Sequence, residues 1–319
     1  MPELPEVETI RRGLSDFIVK QKILGVEVSC EKSFIGPREI VLGREILRIS
    51  RRGKALLIEL SGGITMMIHL RMTGQLIYRD TDAKGYEVDQ GGNDGGNDGG
   101  GEVGGVGKDG KVKKTKGAFA GGHPTDSFFA ELPDRQTRVW FQLERGRLFF
   151  NDQRKFGFCK VIPTEEVEKD KFIASLGKEP WETSAEELYA VFQRRKGSPV
   201  KGVILDQKVI AGIGNIYADE ALFYAGVYPG RLCGGISLEE TRKIIEGACK
   251  SMDASIDSGG STMATYVRAD GTKGNYLEKF AQVFRREGEP CLRCGEEIRK
   301  TRVVGRGTHY CPRCQEVRE

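Results

Sequence analysis

The chain has 319 residues, with 50 Lys and Arg against 46 Asp and Glu and a formal net charge of +4. That length predicts two or three domains with ample core, and so mild a charge does not by itself announce a nucleic-acid protein. No apolar run approaches bilayer length and the start lacks a basic-then-apolar signal pattern, which excludes a membrane protein and predicts a soluble, cytoplasmic one.

Residues 1–8 read Met-Pro-Glu-Leu-Pro-Glu-Val-Glu. Initiator methionine is normally trimmed before a small residue, so the mature chain is expected to begin at Pro2. Its ring nitrogen would then be a secondary amine with a lone pair, and α-amino groups titrate near roughly 8. Pro5 reads as a first-turn helix residue, and Val7, Ile10, Leu14 and Phe17 follow at helical spacing. The helix N-terminus beside the amine disfavours the ammonium form, and Glu3 puts a carboxylic acid next to a nucleophile. A plain helix start has the same composition, so these residues need the rest of the chain to give them meaning.

Residues 23–78 read as strands, with 56–60 and 64–70 as apolar runs split by Ser61-Gly62-Gly63, a hairpin signal. Arg48, Arg51, Arg52 and Lys54 cluster just before the first run, either as a solvated loop face or as phosphate contacts. Met72 follows at a strand end, as a core filler or as an apolar wedge for a base stack. Residues 85–122 hold fifteen glycines, a Gly-Gly-Asn-Asp tandem and Lys108, Lys111, Lys113, Lys114 and Lys116. They read as a disordered insertion, an inert linker or a weak phosphate-attracting segment.

Strands resume at 138–143, turn at Glu144-Arg145-Gly146 and return at 148–150. The loop 151–157 then carries Arg154 and Phe156, a cation and an aromatic two residues apart. Residues 163–180 read as a linker with a short acidic helix. Beyond it Ser184 and Glu187 make a capping box before Leu188, Val191 and Phe192. Further helices flank 209–217, where Gly212 and Gly214 permit close backbone approach and the next helix's N–H groups are placed to bind a phosphate. Lys196, Lys201 and Lys208 lie upstream. Residues 259–276 form a glycine- and hydroxyl-bearing loop.

The most specific signal comes last. Cys291-x2-Cys294, sixteen residues, then Cys311-x2-Cys314 is the spacing of tetrahedral thiolate coordination of one structural Zn2+. The other four cysteines, Cys30, Cys159, Cys233 and Cys249, follow no spacing and read as buried thiols. Arg299, Lys300, Arg302, Arg306 and Arg313 surround the metal ligands with no acidic residue from Ile298 to Cys314. That excess of cations favours a DNA-facing hairpin.

Taken together, the motifs Pro2-Glu-Leu-Pro-Glu-Val-Glu-Thr, Arg51-Arg-Gly-Lys, His69-Leu-Arg-Met-Thr-Gly, Asp152-Gln-Arg-Lys-Phe-Gly, Asp206-Gln with 211–220, Gly259-Gly-Ser-Thr and the cysteine hairpin resemble the formamidopyrimidine-DNA glycosylase family of base-excision repair. The resemblance implies an α+β multidomain fold. A β-sandwich with a leading helix would occupy 2–162, followed by a linker at 163–180, a helix–two-turn–helix domain at 181–280 and a zinc-finger β-hairpin at 281–319. It implies a monomer acting on double-stranded DNA that holds an oxidised purine. Pro2 would attack the sugar with Glu3 as acid, Lys54 and Arg306 would serve the two strand eliminations, and Met72, Arg154 and Phe156 would fill the vacated space. Gln136, Arg154, Lys196 and Asn215 would contact DNA, and the 261–276 loop would cover the flipped purine. Gln136 and Phe284 depart from the histidine and tyrosine common in relatives, and Phe284 cannot donate a hydrogen bond to phosphate. An endonuclease VIII-like pyrimidine specificity and a non-catalytic zinc-ribbon binder are the rival readings.

Overall fold

The computed structural model describes residues 2–81, 118–123, 125–128, 130–260 and 276–316. Met1, most of the glycine-rich stretch and the loop at 261–275 lie outside the described residues. Pro5 stands in the first turn of α1 (Leu4–Ile18), where its missing N–H breaks no bond. Val7, Ile10, Leu14 and Ile18 line one face and are buried in the first core.

Ten strands follow: β1 (Ile23–Val28), β2 (Phe34–Ile35), β3 (Ile46–Arg52), β4 (Ala55–Leu60), β5 (Ile64–His69), β6 (Gly74–Arg79), β7 (Ala118–Gly122), β8 (Thr137–Leu143), β9 (Gly146–Asp152) and β10 (Phe158–Pro163). They make two five-stranded sheets, ordered β1-β8-β9-β6-β7 and β2-β10-β5-β4-β3. Ile58, Met66 and Ile68 of one sheet meet Leu76, Val139 and Phe150 of the other in a shared core, and α1 packs across the edge strands β3 and β7. Apolar residues on the inner faces of both sheets are what hold such a sandwich together.

Strand β7 corrects the expected insertion. Residues 118–122 pair antiparallel with β6, from Gln75↔Gly122 to Arg79↔Ala118. The glycine count of the whole stretch hid a short Ala-Phe-Ala unit whose Phe119 is buried against α1 at Gly13. The expected linker is also packed rather than free. A 3-10 turn (Thr164–Lys169) and α2 (Lys171–Ala174) lay Val167 and Ile173 on Leu57 and Met67 of the second sheet.

The second core gathers α3 (Ala185–Arg194), α4 (Val200–Ile204), α5 (Asn215–Ala225), α6 (Leu238–Asp257) and α7 (Tyr276–Lys279). Ser184 and Ser237 cap α3 and α6 in reciprocal boxes with Glu187 and Glu240. Leu4, the first residue of α1, belongs to this core and not to the sandwich. One helix is thereby shared, its first turn in the helical body and the remainder in the sheets. A hairpin of β11 (Arg299–Val303) and β12 (Arg306–Tyr310) ends the described chain, and Phe223 of α5 packs into its small core with Val283 and Ile298. Among the described residues no helix is long and apolar enough to cross a membrane.

Candidate active site and metal centre

The residues ahead of α1 lie where the two bodies meet. Gly212 takes a φ of +96°, and a Cβ there would overlap the Leu4 side chain. A Cβ on Gly214 would overlap the Glu3 carboxyl carbon. The two glycines therefore admit the chain's own start. Leu4 N donates to Gly212 O at 3.3 Å, and Ile216 N, in the first turn of α5, donates to Glu3 Oε1 at 3.1 Å. This corrects the phosphate expectation for the Gly-Ile-Gly turn: the acceptor at that helix N-terminus is the Glu3 carboxyl. Gln207 frames the turn, accepting from Gly212 N at 2.9 Å and donating to Ile213 O at 2.8 Å.

Pro2 and Glu3 are both buried. Burial raises the Glu3 carboxyl from its ordinary value to about 7, and neighbouring Lys54 and the Ile216 N–H only partly oppose that rise. Glu3 Oε2 meets no hydrogen-bond partner among the described residues. Glu6 lies under the same turn, receiving Glu3 N at 2.8 Å on one oxygen and the Tyr217 hydroxyl at 2.8 Å on the other. The Tyr217 oxygen in turn accepts from the Ser255 hydroxyl at 2.7 Å. Lys54, from the β3–β4 turn, is buried and donates to Ile213 O at 2.9 Å. Burial pulls its ammonium below the ordinary lysine value, against the attraction of Glu3 and Glu6.

The other three cations of the 48–54 cluster are paired with carboxylates. Arg48 bonds Glu59 at 2.6 Å, Arg52 bonds Glu182 at 3.4 Å, and Arg51 lies between Glu8 at 3.1 Å and Glu179 at 2.6 Å. Glu179 also receives Gly53 N at 2.8 Å, so the packed linker grips the turn that carries Lys54. Of the open pair of readings for this cluster, the structure gives neither whole: these three face acids and Lys54 faces the site.

Met72, Arg154 and Phe156 occupy two loops on the sandwich. Phe156 is 56% exposed, and Arg154 lies over its ring at 5.0 Å. What joins the loops is Asp152, buried and absent from the expected site. One of its oxygens accepts from the Thr73 hydroxyl and from Arg154 N at 3.2 Å. The other accepts from Phe156 N at 2.8 Å and Gly157 N at 2.7 Å. The Met72 turn is braced again at Arg71, whose φ is +51°. Its N–H donates to His69 Nδ1 at 3.0 Å, and its guanidinium faces the Phe158 and Phe172 rings at 5.8 and 5.7 Å. Burial, with Arg71 and Lys54 nearby, drives the His69 imidazole down to about 3, so it stays neutral and able to accept that bond.

Gln136 is half-buried, and its backbone N donates to Asp134 at 2.8 Å; Lys196 and Arg306 are exposed. Asn215 donates one amide hydrogen to Gly307 O at 3.0 Å, which ties α5 to the hairpin and leaves its second N–H available. Lys201, grouped by sequence with two surface lysines, is instead fully buried. Phe284 packs edge-on against the His309 ring, 5.1 Å between centroids.

The four hairpin cysteines bring their sulfurs within 4.8 Å of one another, with Cys291–Cys314 at 3.9 Å and Cys294–Cys311 at 3.5 Å. Tetrahedral zinc with Zn–S bonds of about 2.3 Å needs sulfurs about 3.8 Å apart. Backbone N–H groups of Arg293 and Cys314 each reach a sulfur at 3.4 Å, as a thiolate set requires. The donor set fits one structural Zn2+ held by Cys291, Cys294, Cys311 and Cys314.

A two-sheet body and a helical body meet at the N-terminal residues, with a cysteine hairpin beyond. The profile of the Formamidopyrimidine-DNA glycosylase N-terminal domain matches residues 1–159, that of its H2TH domain residues 176–267, and that of the zinc finger found in FPG and IleRS residues 288–317. The formamidopyrimidine-DNA glycosylase of Pelotomaculum thermopropionicum is 37% identical over 325 residues, covering all of both chains. That of Desulfitobacterium hafniense is 35% identical over 99% of this chain and all of its own. Among solved structures, a Lactococcus lactis FPG variant in complex with Fapy-dG containing DNA superposes with a TM-score of 0.78 at 29% identity, over 99% of this chain and 100% of that one. A complex of the same enzyme with abasic-site DNA gives 0.76 at 28%, with the same coverage. The chain belongs to the formamidopyrimidine-DNA glycosylase family.

Two outcomes follow from this geometry. Gly214 has an ordinary extended φ, so Gly214→Ala strains no backbone and only displaces the Glu3 carboxyl. Single-turnover base excision by Gly214→Ala is expected to fall about 10²-fold, with a melting temperature close to the parent's. Zinc removal by a chelator is expected to release one ion per chain. Amide exchange should then rise in the segments that carry the ligands, 291–298 and 310–316, and stay protected in the sandwich.

Proposed function

We propose that this glycosylase excises oxidised purines, 8-oxoguanine and formamidopyrimidines, from duplex DNA and then cuts the strand by β,δ-elimination through an iminium on Pro2. The reading includes a monomer working in the cytoplasm. The observation that carries it is the Glu3 carboxyl beside Pro2, buried, raised to about 7, with one oxygen held by Ile216 N–H and the other without a hydrogen-bond partner among the described residues. The complexes of the Lactococcus lactis relative with Fapy-dG and abasic-site DNA support the same substrate class.

The damaged nucleotide leaves the stack because C1′ is unreachable within it. The Pro2 lone pair attacks C1′, the base departs with the electrons of its glycosidic bond and takes up the proton released from the Pro2 nitrogen, and Glu3 gives its proton to the ring oxygen as the C1′–O4′ bond opens to the iminium. The resulting iminium draws electrons from the C2′–H bond, so a proton leaves C2′ and the 3′ phosphate departs. A second proton loss then expels the 5′ phosphate. Lys54, buried beside Glu3, and Arg306, exposed on the hairpin, take the phosphates on either side of the lesion and serve the two eliminations. Met72, Arg154 and Phe156 enter the vacated stack from loops already braced by Asp152, with Arg154 toward the orphaned base. Gln136, Arg154, Lys196 and Asn215 hold the backbone.

Borohydride reduction tests the chemistry. The parent is expected to leave a covalent adduct on duplexes bearing 8-oxoguanine, and far less on thymine glycol. Pro2→Gly, or a chain retaining Met1, should lose at least about 10²-fold of adduct, and Glu3→Gln should lose base excision. An undiminished adduct from the Pro2 variant would assign the nucleophile to another amine, and a preference for thymine glycol would move the specificity to oxidised pyrimidines.

A further inference from the structure

Zinc secures only the base of the terminal hairpin. Cys294 precedes β11 and Cys311 follows β12, while Arg306 sits at the opposite end, beyond the Val304-Gly305 turn. An isolated two-stranded ribbon is marginal in water, so its tip needs its own anchor. The tip is also strained: Val304 is β-branched and held at a φ of +44°. It sits over α4 at Gly202, where a Cβ would approach Val304 Cγ1 to 3.0 Å.

Beside Gly202, Lys201 of α4 and Asp219 of α5 form an ion pair at 2.6 Å with both side chains fully buried. Lys201 Nζ also donates to Thr308 Oγ1 at 2.7 Å and Gly307 O at 3.3 Å, and Asp219 accepts from His309 N at 2.9 Å. The His309 ring Nδ1 stands 3.5 Å from the same carboxylate. Asn215 adds its bond to Gly307 O. The three residues after Arg306 are thus held by Lys201, Asp219 and Asn215, through the backbone at Gly307 and His309 and the hydroxyl of Thr308. Fully buried, Lys201 has no surface from which to reach a phosphate. Nor is stability a sufficient reason for the pair, because well-packed apolar substitutes for buried ion pairs are often neutral or better. What such a pair supplies here is direction, since it fixes the strand's register against α4 and α5.

We propose that Lys201 and Asp219 are positioning residues for the lyase step, setting the hairpin tip so that Arg306 faces the phosphate expelled in the second elimination. The inference rests on the reading of Arg306 given above, and its test separates the two. The zinc-loaded full chain is compared with Lys201→Met/Asp219→Leu, with Asp219→Asn and with Arg306→Ala on duplexes holding an abasic site, scoring the ratio of δ to β products. The double apolar variant is expected to keep one zinc, a melting temperature within a few degrees and parental iminium trapping. Its δ to β ratio should drop roughly tenfold or more, as should that of Arg306→Ala. A parental ratio in the folded pair variants, with a lowered one in Arg306→Ala, would overturn the positioning role. An unchanged ratio in Arg306→Ala would overturn the role of Arg306 and the proposal with it. Hydrogen exchange on the unaltered protein supplies a measurement independent of variant folding. The His309 amide should exchange only with global unfolding, and fast local exchange there would contradict the anchor.

Discussion

The hydrogen bond from Ile216 N–H to the Glu3 carboxyl is the constraint on which the rest of the arrangement depends. It spans most of the chain, joining the residue before α1 to the first turn of α5. Two opposing influences meet at that carboxyl. A helix N-terminus favours the anion by about a kcal/mol at most for an exposed group, whereas full burial favours the neutral acid far more strongly. Burial wins, and the group is left near neutrality, where a general acid is most useful. The two glycines at 212 and 214 make this possible by leaving no side chain between the chain start and the turn.

The same device recurs around the site: a largely buried acid whose oxygens collect backbone N–H groups from a loop or a distant segment. Glu220 receives the N–H groups of Gln282, Val283 and Phe284 and so docks the approach to the zinc hairpin. Asp219, one residue earlier on α5, receives His309 N from the far side of that hairpin. Asp152 collects the loop of Arg154 and Phe156, and Glu179 collects the turn of Lys54. Each acceptor satisfies donors that would otherwise be costly to bury, so loops carrying function are fixed without regular secondary structure. The site is then assembled from parts that are each rigid before DNA arrives, which suits chemistry that tolerates little misplacement.

What sequence made legible was local. The four zinc ligands, the α1 start with Pro5 and the capping box of α3 follow from spacing, while the two-sheet body came only with the family resemblance. Pro2 and Glu3 were readable as a chemical pair for the same reason. The bracing acceptors were not: nothing near Asp152 tells that it joins its own loop to Thr73, nor near Gln207 that it frames the turn admitting the chain start, and both stood in recognised motifs without a role. Lys201 shows the limit most clearly. Sequence groups it with Lys196 and Lys208, which lie on the surface, yet its partners Asp219 and Thr308 come from other elements and take it out of water. Strand β7 was lost for a compositional reason, since three apolar residues were averaged into a long glycine-rich stretch.

The central claim is that burial at the junction of the two bodies lifts the Glu3 carboxyl to about 7, so that it still carries its proton in part at physiological pH. Titration of the 13C-labelled Glu3 carboxyl by NMR, in the protein with a free N-terminal proline, tests it directly. The account predicts a midpoint at about 7. A midpoint in the ordinary glutamate range near roughly 4.3 would show an ionised carboxylate, and the acid role of Glu3 would be lost with it.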